Sequence, residues 1–181
     1  MDFNLSEEQL HWQQVARKFA YERIRPRARD LDRETDPAKT FPADLVREAS
    51  RLGLRTLKLP KADGGAGVDC LTEVLVQEEL CAGDIGFGMT LQHAWREGNI
   101  VASGGNAAVR NRFLKPFLDD EMALPAFAVT EEHAGSDHRS PYFETLDAGV
   151  QTRAVLDGDE WVINGRKKWQ TNGNLAQFVI L

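Results

Sequence analysis

The chain has 181 residues, 42% hydrophobic and 28% charged, with a formal net charge of −6. Such values describe an ordinary globular protein that can bury a core in one domain or two small ones. The acidic balance excludes a general nucleic-acid binder, which needs an excess of Lys and Arg, and no apolar run approaches the roughly 18 residues of a membrane span.

The N-terminus, MDFNLSEEQL, has no basic region followed by an apolar stretch, so no secretory signal is expected. Ser6 with Gln9 three residues on forms a capping box, and an apolar stripe of helical spacing follows at Trp12, Val15, Ala16, Phe19, Ala20, Ile24, Ala28 and Leu31. Pro26 is expected to kink this helix or end its first part. A second helix is predicted from Pro42 to Gly53, with Pro in the first turn and Gly just past the end. LPKADGGAGVD (59–69) reads as a loop; it has glycines but neither GxGxxG nor GK[ST], so no phosphate loop is assigned. Further helices are predicted over Leu71–Cys81, over 85–105, and over 106–121 with an end near Pro116. Cys70 and Cys81 lie outside any CxxC pattern and read as reduced thiols of a cytoplasmic protein.

After Met122 the pattern changes. LPAFAVTE is a short apolar run in which Pro125 bars a regular helix, and it reads as a strand. GVQTRAVL (149–156) alternates at period two, EWVI follows, and Asn164-Gly165 is the strongest hairpin signal in the chain. RKKWQT leads to Asn172-Gly173, and AQFVIL begins another strand. The expectation is an α+β protein: an all-α domain over 1–121, then an antiparallel, barrel-like β-domain over 122–181 built as a meander. Because Leu181 falls inside an apolar strand, that second domain is expected to be incomplete at its C-terminus.

Chemistry concentrates in AVTEEHAGSDHR (128–139). Adjacent Glu131, Glu132 and His133 cannot all point one way, and His133 and His138 lack an HExxH register, so no metal is assigned. Ser136 lacks a GxSxG elbow. A Thr at a strand end followed by a Gly-Ser turn does offer N–H and hydroxyl donors for an anion or cofactor. KKWQTNG (167–173) can face it: on a strand, Trp169 and Thr171 share one side, an aromatic surface beside a hydroxyl.

Together these motifs carry a family likeness. FAVTEEHAGSD resembles the signature of acyl-CoA dehydrogenases, and WVINGRKKWQTNG is similar to their second flavin segment. LSEEQLHWQQVARKFAYERIRP, GLRTLKLPKADGGAGVD and RFLKPFLDDEMALPAFAVTE resemble the family's opening helix, its Pro- and Gly-rich loop and its helix-to-strand transition. The resemblance implies FAD, bound by Phe127, Ala128, Val129, Thr130, Gly135, Ser136, Trp169, Gln170 and Thr171. Thr130 would bond the pyrimidine edge of the flavin, Trp169 would lie against it, Thr171 would reach toward N5, and Ser136 would also lie near the CoA portion of the substrate.

The implied reaction is α,β-dehydrogenation of an acyl-CoA, with an electron-transfer flavoprotein or similar acceptor as partner. A homo-oligomer, tetrameric by resemblance, or a paired chain is implied. An acyl-CoA oxidase or flavin monooxygenase of the same fold, or a non-catalytic subunit, are the alternatives. The sequence departs from the family pattern in three respects: Glu132-His133 and the added HRSPYFETL (138–146), Gln170 in place of an apolar residue, and the lack of the helical domain that carries the catalytic carboxylate. No residue is therefore assigned as the catalytic base, and the chain by itself is expected not to turn over.

Overall fold

Ser6 opens the first helix as its spacing predicts: its hydroxyl accepts the Gln9 N–H at 3.2 Å, and the Gln9 side chain accepts the Ser6 N–H at 2.9 Å. In the computed structural model, which describes residues 4–36, 39–132, 135 and 149–181, this helix, α1, spans Glu7–Phe19. A π-helical turn, Ala20–Ile24, joins it without a break to α2, Arg25–Arg33. Pro26 explains the π turn. Its missing N–H and bulky ring disfavour the ordinary bond to the residue four back, and the wider turn places the Arg25 N–H on the Ala20 carbonyl instead.

Helix α3 spans Ala43–Arg51, α4 Cys70–Gly83 and α5 Ile85–Gly104. Asp69 and Asp84 cap the last two, accepting the N–H groups of Thr72 and Phe87, each at 2.7 Å. The next helix does not end near Pro116. It runs through α6, Ala107–Val109, a second π turn, Arg110–Leu114, and α7, Lys115–Asp119. Pro116 sits in the first turn of α7, where its lost N–H is harmless, and the π turn again lies just upstream.

Helix α1 packs on α4, and α4 on α5, around a core that includes Ala16, Phe19, Leu45, Leu80, Leu91, Trp95 and Phe117. The Arg17 guanidinium meets Glu79 across the α1–α4 seam at 2.6 Å and 3.1 Å. Arg55, 2% exposed, donates to the Ser50 hydroxyl and the Ala123 carbonyl, and its guanidinium lies 4.3 Å over the Phe117 ring. Burial pushes its pKa down to about 10. No helix among the described residues is long and apolar enough to cross a membrane.

The strands are β1, Pro125–Phe127; β2, Arg153–Asp157; β3, Glu160–Asn164; and β4, Phe178–Ile180. They correct the expected barrel-like meander. Among the described residues they form two separate two-stranded sheets, neither of them closed, and β1 pairs with β4 in parallel, Ala126 opposite Val179. The hairpin also lies elsewhere than predicted. β2 and β3 pair around Asp157-Gly158, with Gly158 at φ +60, while Asn164-Gly165 merely ends β3. A glycine at the first central position suits a type II′ turn, so Asp157-Gly158 forms the hairpin in place of Asn164-Gly165. Helix α5 packs on β1 and thereby joins the helical core to the region of the candidate site.

Candidate cofactor site

The site grows from the end of β1. Ala128 donates its N–H to the Ile180 carbonyl at 2.8 Å, which continues the parallel pairing one residue past the strand. The chain from 165 to 170 then returns alongside. Lys168 donates its backbone N–H to the Thr130 carbonyl at 2.9 Å, and the Lys167 ammonium donates to the Val129 carbonyl at 3.2 Å. The two polar motifs are therefore in contact, although 38 positions separate their bonded residues in the second case.

The strand expected for Trp169 and Thr171 does not form. Trp169 adopts φ +61 and Asn172 φ +65, both in the left-handed region, so the alternation that would set Trp169 and Thr171 on one face is lost. The Asn172 side-chain amide explains the bend: it donates to the carbonyls of Thr90 at 3.1 Å and Pro125 at 3.3 Å, pinning the turn to α5 and β1. Trp169 is left 84% exposed, a large apolar surface held in a strained backbone. Gln170 and Thr171 are half-buried, and Gln170 Nε2 is buried without a partner among the described residues. Phe127 is half-buried, Ala128 is buried, Val129 and Thr130 are half-buried, and Gly135 is exposed. Ser136 lies outside the described residues, as do His133 and the 138–146 extension.

Two features are not apparent from the sequence. The first is Glu131, whose motif neighbours give it no distinguishing mark. It is 8% exposed and its carboxylate accepts four bonds: from Lys167 Nζ at 2.8 Å, the Thr152 hydroxyl at 2.6 Å, and the N–H groups of Gln151 at 2.7 Å and Thr152 at 2.9 Å. Gly165 lets Thr152 come this close, since a Cβ there would overlap the Thr152 hydroxyl. The second is on α5. Arg96 lies 5.2 Å over the Phe127 ring and bonds Glu97, which is fully buried, while His93 Nδ1 stands 3.3 Å from the same carboxylate oxygen. The i,i+4 spacing of His93 and Glu97 is visible in the sequence; their link to Phe127 through Arg96 is not.

The Lys167 bond, the Thr152 hydroxyl and the two N–H groups hold Glu131 well below the usual carboxylate range, at about 2. A depressed folded-state pKa stabilises the fold above the ordinary Glu range, and that contribution is lost as pH falls toward about 2. Glu131→Gln should therefore be less stable than the parent at neutral pH, and the gap should narrow steadily below about pH 4. Urea midpoints of both proteins across this range check it; a gap that does not change with pH rejects it.

Known proteins share this arrangement of sequence and fold. Residues 6–121 match the family model of the acyl-CoA dehydrogenase N-terminal domain, and residues 126–181 that of the acyl-CoA dehydrogenase middle domain. The chain belongs to the acyl-CoA dehydrogenase family, a family of oxidoreductases. It is 32% identical to the short-chain specific acyl-CoA dehydrogenase of Clostridium acetobutylicum over 182 residues, taking in 100% of this chain and 44% of that one. Among solved structures it resembles butyryl-CoA dehydrogenase from Megasphaera elsdenii, with 30% identity and a TM-score of 0.77 over 99% of this chain and 45% of that one. It also resembles glutaryl-CoA dehydrogenase from Mycobacterium smegmatis in complex with FADH2, with 27% identity and a TM-score of 0.80 over 97% and 42%. The chain spans less than half the length of these curated and solved relatives.

Proposed function

We propose that the chain supplies one wall of the FAD and acyl-CoA site of a flavoprotein that dehydrogenates an acyl-CoA thioester between its α and β carbons. The bond from the Lys168 N–H to the Thr130 carbonyl carries this reading, because it sets the two halves of the flavin signature side by side. The residues fit the cofactor. Trp169 offers an aromatic face that is 84% exposed, and Gln170 Nε2 is a buried donor without an acceptor among the described residues.

Phe127, Ala128, Val129, Thr130, Gly135, Ser136, Trp169, Gln170 and Thr171 would hold the FAD, which supplies a hydride acceptor when bound. Trp169 excludes water from one side, Thr130 and Thr171 orient through their hydroxyls, and Ser136 also meets the acyl-CoA. Glu131, with a pKa of about 2, is too weak a base for an α-proton, and Glu97 is fully buried and committed to Arg96. Proton removal then needs a carboxylate from outside these residues, so the chain by itself is inactive. In this reading residues 1–121 and 122–181 are separate domains, and the protein works in the cytoplasm. It works as a homo-oligomer or with a paired chain, passing electrons to an electron-transfer flavoprotein or similar acceptor.

Flavin titration tests the cradle. The chain is expected to quench FAD fluorescence saturably, and Trp169→Ala with Thr171→Val should weaken binding by at least about tenfold, the loss of a stacked ring and a hydrogen bond. Equal affinity of parent and variant, or no saturable binding by the parent, rejects it.

A further inference from the structure

We propose that the buried Glu131–Lys167 pair is a positioning element that selects one register of segment 167–171 against residues 129–131, and so decides which side chains face the flavin. The inference rests on the flavin reading above for its functional consequence, and on geometry alone for the register.

Three passes of the chain meet at this node: the exit of β1, the residues leading into β2, and the segment after β3. The side chains of Lys167 and Glu131 are 12% and 8% exposed. Lys167 Nζ bridges the Val129 carbonyl and the Glu131 carboxylate, while the next residue bonds Thr130 through its backbone. Consecutive positions on one segment are thus tied to consecutive positions on the other, once through a side chain and once through the main chain.

That arrangement discriminates between registers in a way main-chain bonding cannot. Backbone N–H and carbonyl groups recur at every residue, so a slip could rebuild the Lys168–Thr130 bond with a neighbour. A slip by one residue would also move Trp169 and Thr171 off their places. It would withdraw Lys167 from Glu131 and leave a buried carboxylate short of its only cationic partner among the described residues. The low pKa of Glu131 agrees with a carboxylate that is fully paired in this register. A slip that brings Lys168 to Glu131 breaks its own bond to Glu132 at 2.6 Å. Setting register is the best-attested use of buried polar or ionic groups.

Hydrogen exchange and flavin binding, measured on Lys167→Met, Lys167→Arg and Glu131→Gln, test the assignment separately. In the parent the Lys168 amide should be protected. Lys167→Met should speed its exchange by at least about tenfold while amides of α5 hold their rates, as a local opening does. Lys167→Arg, which can bridge the same two oxygens, should restore the protection. Glu131→Gln keeps the side chain's shape and should show the same local loss, so the test survives a Lys167→Met protein that fails to fold. Where FAD binds, its affinity should fall by about tenfold in Lys167→Met and recover in Lys167→Arg, with the visible band of the bound flavin shifting toward that of free FAD. Unchanged Lys168 exchange in Lys167→Met and Glu131→Gln overturns the proposal, as does a rise shared equally by the α5 amides. A parent that protects Lys168 yet binds no FAD rejects the flavin reading instead and leaves the register result to stand on exchange.

Discussion

Phe117→Ala is expected to destabilise the chain by about 3–5 kcal/mol, the range for removing a buried aromatic ring from a core that cannot collapse. Phe117 is fully buried and its ring is engaged on several sides. A Cβ placed on Gly98 would stand 3.0 Å from it, so helix α5 already touches the ring edge. The Arg55 guanidinium lies 4.3 Å over its face, and the Phe178 ring meets it at 6.4 Å and 81°. The truncation therefore removes three kinds of contact: apolar packing, a desolvated cation–π contact of about 2 kcal/mol and an edge-to-face pair of about 1 kcal/mol. It also leaves Arg55, only 2% exposed, facing a void. Phe117→Leu, which refills most of the volume, should cost less than the alanine variant. Urea unfolding followed by circular dichroism measures both, and a loss below about 1.5 kcal/mol for Phe117→Ala would show that the site relaxes freely.

Gly65→Ala should cost about 3 kcal/mol, the upper end for adding a methyl group where space is filled. A Cβ on Gly65 would overlap the Leu59 carbonyl oxygen and approach the Leu59 Cβ to 2.5 Å. Relief by moving Leu59 is blocked: its side chain is fully buried, and its carbonyl accepts the Gly67 N–H at 2.9 Å. Gly64 makes the control. It adopts φ +81, and a methyl group added there would meet nothing within 4 Å, so Gly64→Ala incurs only backbone strain of about 1–2 kcal/mol. Thermal unfolding of the two variants ranks them. If Gly64→Ala proves the worse, left-handed backbone rather than close packing dictates the glycines of this loop.

Helices are legible where local chemistry decides them. Ser6, Asp69 and Asp84 each cap through their own side chain to an N–H three residues on, and such contacts need no knowledge of the fold. The π turns are not legible, although Pro26 and Pro116 mark their places, because a proline states only which bond is lost and not how the turn makes it good. The β region is the least legible for a similar reason. Parallel pairing of β1 with β4, and the bend at Trp169 and Asn172, depend on partners such as Thr90 and Pro125 that lie far away in the chain. Glu131 stays hidden because its importance comes from Lys167 and Thr152, neither adjacent to it in sequence. The two motifs of the candidate site are visible as a pair; the charged contact that fastens them is not.

The parallel pairing of β1 with β4 also orders events in time. Phe127 and Phe178 belong to strands that run the same way, so the entire stretch from Ala128 to Gln177 must loop out and return before Ala126 can meet Val179. Closing a long loop is slow and entropically costly, and α1 meets α4 only by closing one as long, Arg17 reaching Glu79 across 62 positions; α4 and α5 are consecutive and meet locally. The α4–α5 pair should therefore assemble early, and the seam between residues 129 and 168 should wait, as the α1–α4 seam does, for a long loop to close. A newly made chain would then pass through a stage with α4 and α5 paired and its candidate site still open.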